Sequence, residues 1–112
     1  MSCDPCIIYV TMPDHDTACK ISSELLNHRL ISCANTFSNV TSMYLWNGEL
    51  NTDTECVTIM KTLTHLCERA MQKIQELHPY DVPAVFSIPV KDCSQAFLDW
   101  MSSSLVDETR SS

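Results

Sequence analysis

Apolar residues gather in short dense runs along this chain, and between them lie stretches that repeat every three to four positions. Ile7-Ile8-Tyr9-Val10-Thr11-Met12 is apolar on both sides of its pleat and stops at Pro13, the pattern of a strand covered on both faces. Asp14 and Asp16 follow as carboxylates suited to a helix start. Ala18, Ile21, Leu25 and Leu26 then recur at helical spacing with Lys20, Ser23, Glu24 and Asn27 opposite, which predicts an amphipathic helix over residues 16–29. Residues 30–37 and 40–46 read as one long strand, interrupted at Ser38-Asn39 by a bend or bulge. Asn47-Gly48 is a strong hairpin signal, because both residues tolerate the positive φ of a two-residue turn. The returning strand contains Cys56-Val57-Thr58-Ile59-Met60. Thr64 is expected to cap a second helix with Leu66, Cys67, Ala70, Met71, Ile74 and Leu77 inward, ended by Pro79. Pro79-Tyr80-Asp81-Val82-Pro83 is a stiff connector. Ala84-Val85-Phe86-Ser87-Ile88 is a last strand, and Asp92 or Ser94 opens a final helix with Phe97, Leu98, Met101 and Leu105 inward.

Strand, helix, strand, strand, helix, strand and an added helix make an α+β chain of the ferredoxin-like (split βαβ) type. Two helices cover one face of a four-stranded antiparallel sheet, and the other face is left bare. Around the hairpin, Met43 and Leu45 point one way while Tyr44 and Trp46 point the other, so neither side is polar. A continuous strand of about 15 residues would also run about 50 Å, longer than one small domain needs. Both features predict that copies of the chain cover one another. The chain reads as a single domain, residues 1–112, with loose ends expected at 1–6 and 106–112.

Composition narrows the partners. Fourteen Asp and Glu against seven Lys and Arg give a net charge of −7, with no basic cluster, which argues against nucleic acid and anionic membrane surfaces. No apolar run reaches the length of a bilayer span. No basic residue precedes the first apolar run, so no secretory leader is read and a cytoplasmic location is expected. Seven cysteines, an odd number, are expected to be reduced. Cys3 and Cys6 then read as terminal thiols rather than a redox or zinc motif, and Cys19, Cys56 and Cys67 as small packing residues. One glycine rules out a glycine-rich phosphate loop. Nothing in the chain suggests an acid–base or nucleophile constellation, so no catalytic residue is assigned and no enzyme is expected.

Cys33-Ala34-Asn35, Val40-Thr41-Ser42-x-Tyr44-x-Trp46-x-Gly48, Lys61-Thr62, Leu77-His78-Pro79-Tyr80-x-x-Pro83 and Leu98-x-Trp100 together resemble the CutA family of divalent-cation-tolerance proteins. The resemblance covers about residues 7–105. It implies a homotrimer of the kind shared with PII signalling proteins, without established catalysis and linked to copper (Cu2+) and other divalent cations. For some animal members it implies instead a role in the maturation or anchoring of a partner protein, with metal incidental. Where some relatives carry candidate metal donors, this chain has Val10, Leu77 and Ala84.

The candidate site follows from the residues and the resemblance together. His78, at a helix end before Pro79-Tyr80, is a possible ligand for a divalent cation, or else a structural cap. Cys33 is a second metal candidate, or else a packed thiol. Tyr44, Trp46, Tyr80 and Trp100 are either interface aromatics or part of a ligand cleft between subunits. Lys61 is expected to form an ion pair or to hold an anionic ligand.

Overall fold

A computed structural model describes residues 4–106. Its elements are β1 (Pro5–Met12), α1 (His15–Asn27), β2 (Cys33–Trp46), β3 (Glu49–Leu63), α2 (Thr64–Leu77), β4 (Val85–Pro89) and α3 (Gln95–Ser104). The strands form one antiparallel sheet in the order β2-β3-β1-β4, the ferredoxin-like order expected of this element sequence.

Alternation along β1 sets the layers. Cys6, Ile8, Val10 and Met12 are buried and face the helices, while Pro5, Ile7, Tyr9 and Thr11 face the other way. Ile8 lies opposite Met60 and Val10 opposite Thr58, so the even positions of β3 share the helix side. Ala18, Ile21 and Leu25 of α1 and Leu66, Ala70 and Ile74 of α2 close that side, all at or near zero exposure. Two threonines inside this layer are satisfied: Thr62 donates to the Leu30 carbonyl at 2.7 Å, and Thr58 and Thr36 hydroxyls meet at 3.0 Å. Among the described residues no helix is long and apolar enough to cross a membrane.

Local chemistry explains most element ends. The Asp14 carboxylate accepts from the Thr17 amide at 2.8 Å and caps α1, and that bond holds its pKa below the usual carboxylate value. Ser94 caps α3 in the same way through the Phe97 amide. Asn47 and Gly48 take φ of 52° and 77°, and Trp46 pairs directly with Glu49. The interruption of β2 is a register shift between Phe37 and Val40, with Asn39 at φ 59°.

Four expectations are corrected. Thr64 does not cap α2; Leu63 stands at that position, and the Thr64 hydroxyl donates to the Asp4 carbonyl at 2.9 Å. Pro5 and Cys6 are not loose, because the β1–β3 ladder continues to Pro5 opposite Leu63. Residues 1–3 and 107–112, including Cys3, lie outside the described residues. Cys6 and Cys67 are not free thiols but form a disulfide, since the inward parity of β1 and the inward stripe of α2 bring both sulfurs to one layer. Cys19 is exposed rather than packed; it lies beside the Ala18–Ile21–Leu25 stripe, with its sulfur 3.6 Å from His15 Nδ1.

Beyond Met12 and Cys56, β2 and β3 continue as a two-stranded arm. Seven residues of β3 project there, about 23 Å at strand rise, in a molecule 47 Å long and 23 Å thick.

Candidate functional site

The root of the arm meets the segment that leads into β4. Thr11 donates its amide to the Ala84 carbonyl, which holds Tyr80, Val82 and Ala84 beside the odd-numbered residues of β3. A cleft of about 500 Å³ opens between them on the sheet face away from α1 and α2. Its arm side consists of Tyr44, Trp46, Asn51, Asp53 and Glu55. These share one face because Tyr44 pairs with Asn51 and Ser42 with Asp53, and alternate strand residues point the same way.

Two tyrosine–carboxylate pairs organise the cleft. The Tyr44 hydroxyl donates to Asp53 Oδ2, and the Tyr80 hydroxyl donates to Glu55 Oε2 at 2.7 Å. Burial, reinforced by the Glu55 hydrogen bond and the surrounding negative charge, raises the Tyr80 pKa well above the ordinary phenol value. Tyr44 is shifted in the same direction, chiefly by its bond to Asp53. Both hydroxyls are therefore donors at neutral pH. Among the described residues no Lys, Arg or His lines the cleft.

His78 stands behind Tyr80. Its backbone amide caps α2 through the Ile74 carbonyl at 2.9 Å. Its Nδ1 accepts from the Tyr80 amide at 3.2 Å, so Nε2 carries the proton and donates to the Thr11 carbonyl at 2.7 Å. The ring also packs on Tyr80, with centroids 4.8 Å apart. Both ring nitrogens are thus in use, and His78 positions the connector.

Of the six cleft residues expected from sequence, Tyr44, Trp46 and Tyr80 come together and His78 supports them. Lys61 and Trp100 belong elsewhere in the single chain. The Lys61 ammonium lies 5.6 Å from the centroid of the Phe97 ring, and Trp100 packs against the same ring in a tilted arrangement with centroids 5.4 Å apart. The expected Lys61 ion pair does not form among the described residues; a cation–π contact takes its place. Cys33 pairs with Lys61 on the ladder, far along the sheet from Thr11 and His78. The two residues named as metal donors are not neighbours, and among the described residues no three His, Cys, Asp or Glu side chains form a metal-binding group. The described residues of one chain do not by themselves offer a divalent ion a complete donor set.

Asp53 and Glu55 were not singled out from sequence. The register imposed by Asn47-Gly48 carries the signal, since counting back from the turn places both acids on the Tyr44 side.

Comparison with known proteins agrees with this architecture. The family model for "CutA1 divalent ion tolerance protein" matches residues 6–104. This chain belongs to the CutA1 family. The divalent-cation tolerance protein CutA of Pyrococcus horikoshii is 41% identical over 93% of this chain and 97% of its own length. The CutA homolog of Danio rerio is 35% identical over 90% of this chain and 67% of its own. The crystal structure of CutA1 from Ehrlichia chaffeensis superposes with a TM-score of 0.89 at 40% identity, covering 93% of this chain and 96% of that one. The CutA1 fold is therefore established here, including the four-stranded sheet and its helices.

Proposed function

We propose that this CutA1 chain acts as a homotrimer without catalytic activity, and that it holds a cation in clefts near subunit boundaries. Divalent cations, Cu2+ among them, are the cargo on this reading, and the protein contributes to tolerance of them. The observation that carries the reading is the cleft itself: two anchored carboxylates, three aromatic residues and, among the described residues, no basic group, at the root of an arm that leaves its own domain. A negative cleft attracts cations. Because the described residues of a single chain lack a full donor set, remaining ligands for a metal come from water or from a neighbouring copy.

Calorimetric titration of the tag-free protein with Cu2+ and Zn2+ tests it. Saturable binding at integral stoichiometry per subunit, lost in the Asp53→Asn/Glu55→Gln double variant, is the expected result. Absence of saturable binding, or an unchanged isotherm in that variant, removes the cleft as a metal site.

A further inference from the structure

We infer that the Tyr44–Asp53–Glu55–Tyr80 cleft binds an organic ammonium ion: one or two charged nitrogens on a short apolar stem. The inference rests on the cationic reading of the same cleft and names a ligand class for it. Hard divalent ions take six or more oxygen ligands, and copper favours imidazole and thiolate; among the described residues no histidine or cysteine lines this cleft. An alkylammonium ion has different requirements. It needs carboxylates for its charged head, aromatic faces for cation–π attraction, and apolar walls for its methylenes.

The cleft supplies each of these. Asp53 and Glu55 are alternate residues of one strand on one face, so their Cα atoms are about 7 Å apart, a spacing that a four-carbon diamine spans. The hydroxyls of Tyr44 and Tyr80 occupy one oxygen of each carboxylate, which fixes the acids in place and leaves Oδ1 of Asp53 and Oε1 of Glu55 for a ligand. Trp46, the two tyrosine rings, Val82 and Ala84 form the remaining wall. Among the lining residues no cation competes for the carboxylates.

The probe is 1,4-diaminobutane, titrated against the intact protein by calorimetry and tryptophan fluorescence, with 1-butanol as the uncharged control. The same preparation is titrated separately with Cu2+ and Zn2+. Glu68→Gln removes one charge from the exposed face of α2 and controls for general attraction to an acidic protein. Saturable diamine binding that weakens at least about tenfold in Asp53→Asn/Glu55→Gln and in Trp46→Ala, and is unmoved in Glu68→Gln, is expected. Diamine binding that is absent, or equal in the cleft variants and the control, overturns the inference. If metals alone bind and the double variant abolishes them, the ammonium assignment falls while the cleft remains a cation site. If diamine alone binds, the metal reading falls and the ammonium assignment stands. If neither binds, both are lost.

Discussion

At the scale of single residues, the two tyrosine–carboxylate pairs make the clearest prediction. Tyr44 and Tyr80 keep their protons to higher pH in the folded chain than in the unfolded one. Well below the ordinary phenol pKa of about 10 both states keep their protons, so the stabilisation is complete. As pH rises further the unfolded phenols ionise first, and stability falls through the folded pKa values. Spectroscopic titration of tyrosinate is expected to show two phenols ionising late, and Glu55→Gln is expected to bring Tyr80 down. His78→Ala leaves the Thr11 carbonyl and the Tyr80 amide without their partner, at a cost of about 1–3 kcal/mol by chemical denaturation. Ser22 gives the opposite sign. Its hydroxyl is buried on α1 with no hydrogen-bond partner among the described residues. Ser22→Ala is expected to be neutral or to stabilise by up to about 1 kcal/mol, since it removes a desolvated polar group and improves helix propensity.

At the scale of elements, the β2–β3 arm depends on one turn. A Cβ at Gly48 meets nothing within 4 Å, yet its φ is +77°, so Gly48→Ala tests backbone strain alone. It is expected to destabilise by about 1 kcal/mol in denaturant melts, while Gly48→Asn costs less because asparagine tolerates left-handed geometry. This turn was plain in the sequence, as were every helix and strand, because periodicity and proline stops act locally. The Ser38-Asn39 interruption was legible for the same reason. The cap of α2 was not, since the Thr64 hydroxyl is drawn to Asp4, sixty residues away. The Cys6–Cys67 disulfide was hidden by distance in the same sense: its partners are 61 residues apart and meet only across the packed layer. The aromatic half of the cleft could be anticipated from the family-like motif. Its acidic half required the strand register.

At the scale of the whole molecule, the sheet is finished on one side only. Phe37, Phe86 and Ile88 are about half exposed on the face opposite α1 and α2. On the arm, Met43, Leu45 and Leu50 are exposed towards one side and Trp46 towards the other. Patches of this extent mark interfaces, which is why the proposed function is that of an assembly. Phe86→Asp is expected to weaken association, seen as a lower melting temperature that becomes more sensitive to dilution. The most direct test is the mass of the folded protein in dilute solution, measured by light scattering after size exclusion, with circular dichroism on the same fractions. A particle of about 38 kDa, three chains of 12.7 kDa, is expected. A folded species of 12.7 kDa that persists across concentrations would contradict it.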